Sequence, residues 1–151
     1  MTVAPCDGLN LSVAVSNTGA MLSAETVQVY VSWKSPTVPT AQIQLVAFEK
    51  ILLAPGETKT VALRVEPREL AVLHNASTTH SEYLDDDYNE TEPVPPTWVV
   101  EPLGLNVWVG GQQPSQPVSA PSNVLAADVH IVGDMTPVVA CLGDNPSTLP
   151  Y

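Results

Sequence analysis

Chemistry in this chain would have to come from its carboxylates. The sequence holds sixteen Asp plus Glu against five Lys plus Arg, a net charge of −11. Two carboxylates held roughly 5–10 Å apart can hydrolyse a glycosidic bond. With so many acids chance pairs are easy, so composition alone assigns no catalytic pair. Asp85, Asp87 and Asn89 spell D-x-D-x-N, the opening of a calcium-binding loop. The pattern then fails, because Glu90 stands where the turn glycine belongs and Pro96 where the closing glutamate belongs. His74, His80 and His130 share no metal-ligand spacing with one another or with the cysteines. There is no Ser/His/Asp order, phosphate loop or C-x-x-C motif. The expectation is no catalytic residue, no cofactor and no metal site, with His74, His80 and His130 as exposed loop or strand residues.

Other residues could be modified rather than reactive. Asn10-Leu-Ser12, Asn75-Ala-Ser77 and Asn89-Glu-Thr91 are N-glycosylation triplets, whereas Pro146 excludes Asn145. Such triplets raise the expectation of secretion only modestly. Met1 is not followed by a basic and then an apolar stretch, so secretion would require a signal upstream. Cys6 and Cys141 bracket the chain. A disulfide between them would close nearly all of it, worth at most about 5 kcal/mol of loop entropy. Two free thiols, each acting as a small apolar side chain, are the other reading.

Charge is distributed unevenly. All five basic residues (Lys34, Lys50, Lys59, Arg64 and Arg68) lie before Glu69, balanced there by five acids. The remainder holds eleven acids and no Lys or Arg, so it carries the whole net charge. Such a surface repels phosphate backbones and anionic lipid, which argues against nucleic acid and membranes as partners. No apolar run approaches the length of a membrane span.

The elements that would position these residues are strands. Leu9, Leu11, Val13 and Val15 alternate with polar or small residues, as do Val27, Val29, Val31 and Trp33. Asn17-Thr18-Gly19 supplies a turn of the kind that tolerates positive φ. Ile43 to Ile51 has mixed phase and predicts a strand with a bulge near Val46-Ala47. Pro55-Gly56 predicts a tight turn with glycine second, leading to a strand through Val61, Leu63 and Val65. Pro67 can open a short helical turn with Leu70 and Leu73 on one side, crossing between sheets. His74 to Thr97 reads as a long acidic loop. Trp98 to Val100, Leu105 to Val109 and Leu125 to Ile131 complete the strands. Short strands with turn signals between them indicate a two-sheet sandwich. Phe48 and Trp98 are expected to fill the core between the sheets. Tyr30 and Trp108 fall out of phase with their strands' apolar sets and are expected to face outward. There they would either pack against a neighbouring domain, the favoured reading, or stack on sugar rings.

Asn17-Thr18-Gly19, Val27 to Ser32, Leu45 to Val61 and Val107 to Gly110 carry a further likeness. In order and spacing they resemble the fibronectin type III-like domain at the C-terminal end of family 3 glycoside hydrolases of the β-glucosidase and β-xylosidase kind. The likeness runs from Leu9 to Val132, and the ending from Gly110 to Ile131 is similar to the xylosidase-like branch. Ala47 replaces the usual glycine before Phe48, and the loop from His74 to Thr97 is longer and more acidic than is typical. The resemblance implies an all-β, immunoglobulin-like sandwich over residues 9–132, with an N-terminal extension (1–8) and a C-terminal tail (133–151). It implies a non-catalytic accessory role, bracing the catalytic domains of a secreted parent, with the acidic loop touching the enzyme body or substrate. The parent's nucleophile would belong to a (β/α)₈ barrel, which alone needs about 250 residues. A stand-alone secreted carbohydrate-binding or adhesion module, with polysaccharide as partner, is the alternative.

Overall fold

Alternating valines build the central sheet. The structure, a computed structural model, describes residues 1–74, 96–116 and 123–142. Its strands are β1 (Thr2–Val3), β2 (Leu9–Ser16), β3 (Ser23–Lys34), β4 (Gln44–Leu53), β5 (Thr58–Val65), β6 (Val72–His74), β7 (Thr97–Val100), β8 (Gly104–Gly110), β9 (Leu125–Ile131) and β10 (Thr136–Pro137). A 3-10 turn covers Pro67–Leu70 and one helical turn, α1, covers Val138–Cys141. The five-stranded sheet has the order β1-β9-β8-β3-β4; the remaining strands form the sheets β10-β7-β6 and β2-β5. Together these layers make an all-β sandwich of the immunoglobulin-like kind.

The core follows the period-2 pattern. Val27, Val29, Val31 and Trp33 of β3 point inward beside Leu105 and Val107 of β8 and Val129 and Ile131 of β9. Leu9 of β2 and Val61, Leu63 and Val65 of β5 meet them from the opposite layer. Each such side chain contributes roughly 1.5–3 kcal/mol by leaving water. The Trp33 indole N–H donates to the Leu70 carbonyl at 3.0 Å, which fixes the 3-10 turn against β3. Pro67 opens that turn, where its missing N–H costs nothing. Leu70 is buried, while Leu73 already lies in β6 and is exposed.

One turn and one bulge behave as their residues dictate, and one turn does not. The Glu57 N–H donates to the Ala54 carbonyl at 3.0 Å, and Gly56 has φ +74°, the left-handed value the second central position needs. The bulge in β4 falls on Val46: Val29 pairs with Ala47 and Tyr30 with Leu45, so Val46 is the extra residue. The Asn17–Gly19 turn uses no positive φ. Instead the Asn17 side chain shapes it, accepting from the Gly19 N–H at 2.9 Å and donating to the carbonyls of Met21 and Leu53.

Four expectations are corrected. Phe48 is 66% exposed and Trp98 54% exposed, so neither fills the core. The bulge at Val46 fixes the phase of β4, and Phe48 pairs with outward-facing Gln28. The segment before Leu9, expected as an N-terminal extension, joins the sandwich: β1 pairs in parallel with β9 and Val3 is in the core. The segment after Val132 is likewise folded as far as Leu142: β10 pairs with β7, and Val138 is buried in the core.

Candidate interaction surface

The face of the five-stranded sheet that points away from the core carries its exposed apolar side chains in rows. Val29, Val31, Leu105 and Val107 point inward, so their neighbours Tyr30, Asn106 and Trp108 point outward. Register sets Leu45, Tyr30, Trp108 and Ala126 side by side across β4, β3, β8 and β9. The next row holds Phe48, Gln28 and Gly110. Tyr30 and Trp108 are each half-buried, Leu45 and Phe48 exposed. The Tyr30 hydroxyl donates to the Gln28 side-chain oxygen at 2.6 Å, which ties the phenol to a neighbour on its own strand. The polar edge of this face is Asp128, paired with Lys34 and so held below the ordinary carboxylate pKa by that lysine's hydrogen bond and charge. The surface offers aromatic and aliphatic area with few charges, which suits contact with another folded surface.

A second constellation was invisible in the sequence. Glu101, just beyond β7, is 3% exposed and the one buried charged residue among those described. His74 at the end of β6 donates from Nε2 to its Oε1 at 2.7 Å. The Thr37 hydroxyl donates to the same oxygen, and the Thr37 N–H donates to Oε2 at 3.0 Å. Burial pushes the Glu101 pKa up, but the bonds from Thr37 and His74 outweigh it and leave the carboxyl below its ordinary value. A hydroxyl, an imidazole and a carboxylate stand together here, yet hydroxyl and imidazole both serve the carboxylate. A nucleophile would instead need its hydroxyl held by the imidazole. The arrangement ties the β3–β4 connection to β6 and β7. His74 is thus an anchored, partly buried residue rather than an exposed one.

The remaining predicted positions are scattered. Cys6 and Cys141 form a disulfide with Cα atoms 4.9 Å apart, joining the segment after β1 to α1. Asn10 is exposed on β2, and its side-chain oxygen accepts from Arg64 at 3.1 Å. His130 is exposed on β9. Asn75, His80 and the Asp85, Asp87, Asn89 series lie outside the described residues, as does the body of the acidic loop. Among the described residues no three His, Cys, Asp or Glu side chains are grouped to hold a metal.

Comparison with known proteins adds a family. The family described as "Fibronectin type III-like domain" matches residues 25–113, which spans β3 to β8 and the outward aromatic face. Over 65 residues, 42% of this chain, the sequence is 42% identical to the Emericella nidulans protein named "Probable beta-glucosidase N", and the match spans 9% of that protein. It is also 42% identical over 65 residues to a beta-glucosidase of Rhizobium radiobacter, covering 43% of this chain and 8% of that one. A solved beta-glucosidase from Erythrobacter marinus superposes with a TM-score of 0.61 over 87% of this chain and 14% of its own, at 21% identity. That likeness establishes the fold. The chain therefore matches only a small part of the length of these much longer proteins.

Proposed function

Because this chain belongs to the fibronectin type III-like domain family, we propose that it is the non-catalytic accessory module of a family 3 glycoside hydrolase. It braces the catalytic domains of the same parent by packing, while the parent hydrolyses terminal β-linked sugars. The relatives named above are beta-glucosidases, of which the 65 matched residues form under a tenth. The observation that carries the packing role is the outward face, with Tyr30, Trp108, Leu45 and Phe48 gathered on one side of the sheet. A second domain seated there removes apolar area from water at about 25 cal/mol per Å². The face lies on strands held by continuous pairing across β4, β3, β8 and β9, so docking costs little ordering.

The same reading places the parent outside the cell. The disulfide fits an oxidising compartment, and the triplet at exposed Asn10 is accessible to glycosylation. The test is limited proteolysis of the native full-length protein, with Tyr30→Ser plus Trp108→Ser against wild type. The double variant should release this domain as a fragment at protease levels that leave the wild type intact. Equal resistance of the two proteins would refute docking through this face.

A further inference from the structure

On the other side of the molecule the start of β4, the 3-10 turn, β7 and α1 converge on a groove of about 690 Å³. Small-molecule sites have volumes of about 300–1,000 Å³. Trp98 forms part of its wall and is 54% exposed, an unusual surface for the largest apolar side chain. Gln44, Arg68 and Glu69 line the groove beside it, with Val139 opposite in kind. We infer that this groove binds a neutral saccharide, with one pyranose ring stacked on the Trp98 indole and its hydroxyls bonded to Gln44, Arg68 and Glu69.

Three observations carry the assignment. The first is the pairing of a broad aromatic plane with hydrogen-bonding side chains, which matches a sugar's C–H face and its rim of hydroxyls. The second is charge. Arg68 Nε bonds Glu69 Oε1 at 3.1 Å, so the two charges lining the groove cancel. Among the described lining residues, an anion would find the one cation already paired, in a chain of net charge −11, and a cation would find no spare carboxylate. The third is unused bonding capacity. Among the described residues, no hydrogen bond engages the Gln44 carboxamide, and the Arg68 side chain donates only from Nε. An amide and the two outer guanidinium nitrogens therefore remain for hydroxyls.

The site lies apart from Tyr30 and Trp108, which face outward from the five-stranded sheet, whereas Trp98 belongs to the β10-β7-β6 sheet. It stands whether or not the packing reading does. The experiment titrates this chain with cellobiose and xylobiose and follows the indole N–H signals of its three tryptophans by NMR. The expected result is a saturable shift of one indole with a Kd on the order of 1 mM. Trp98→Ala should weaken binding at least about tenfold and Gln44→Ala severalfold, while Trp108→Ala leaves it unchanged. The thermal transition of each variant verifies that it is folded. The assignment is overturned if neither sugar gives a saturable shift up to roughly 50 mM. It is equally overturned if folded Trp98→Ala binds like wild type, or if only a protein partner perturbs the Trp98 signal.

Discussion

Tyr30 and Trp108 stand directly opposite each other in the register of β3 and β8, on the face turned away from the core. Side chains so paired have Cβ atoms about 5 Å apart and form one continuous surface. Val29 and Val31 on either side of Tyr30, and Val107 before Trp108, are almost wholly buried. The two aromatics thus sit on the strands that anchor the sandwich without belonging to its interior.

That placement separates docking from folding. In the isolated chain, Trp108→Ser should lower the unfolding free energy by about 1 kcal/mol, as for a half-buried side chain. Val31→Ala, in the core, should cost about 2 kcal/mol or more. Urea unfolding of the two variants decides this. If Trp108→Ser costs the isolated chain as much as Val31→Ala, the aromatic face is structural rather than a docking surface.

The disulfide closes almost the whole chain, and it fastens the two terminal segments to one another. Cys6→Ser with Cys141→Ser should destabilise by about 2–5 kcal/mol. Adding a thiol reductant to the wild type should produce the same shift and should leave the double variant unchanged. Both are read from urea curves. A wild-type midpoint unmoved by reductant that has demonstrably opened the bond would contradict a stabilising role.

Glu101 makes stability depend on acidity. Its folded pKa is below the ordinary 4.5, so the folded state binds fewer protons there than the unfolded one. The stabilisation is complete above the unfolded value and drains away as pH falls through 4.5 and then through the lower folded value. The groups facing it are Thr37, which does not titrate in this range, and His74. Glu101→Ala strands the Thr37 N–H and the His74 imidazole, and should cost about 3 kcal/mol at neutral pH. It should also flatten the acid limb of a plot of thermal midpoint against pH. An acid limb as steep in the variant as in the wild type would assign that dependence to other carboxylates.

Val138 tests whether the C-terminal segment is part of the fold. It is 5% exposed, inside the core cluster. Val138→Ala removes about two buried carbon groups and should cost about 2 kcal/mol, measured by urea unfolding. Exposed Val139→Ala beside it should be neutral within about 0.5 kcal/mol.

These residues also show where sequence reading works and where it stops. The strands β2, β3, β5, β8 and β9 are long enough for alternation to declare them, and the Val46 bulge was readable as a break in phase. Pro55-Gly56 and Pro67 carry their own backbone chemistry. Phe48 was misplaced because its size suggests the core, whereas the direction of its side chain depends on the bulge two residues earlier. Trp98 sits in a four-residue strand, too short to set a phase. The strands β1 and β10 have two residues each and exist only through partners far along the chain, Thr2 with His130 and Thr136 with Val100. The Thr37–His74–Glu101 tie joins residues 27 to 64 positions apart. No local pattern announces such a cluster. A lone glutamate among valines, Val99-Val100-Glu101, was the one available hint.

The most direct measurement is the native mass of the protein that carries this sequence in its source, detected with an antibody raised against this domain. The account predicts a band several-fold larger than 16.0 kDa, the mass of this chain, because the match spans only 9% and 8% of the two relatives named above. A native band near 16 kDa, allowing for glycans, would contradict it, since no catalytic partner would then share the chain.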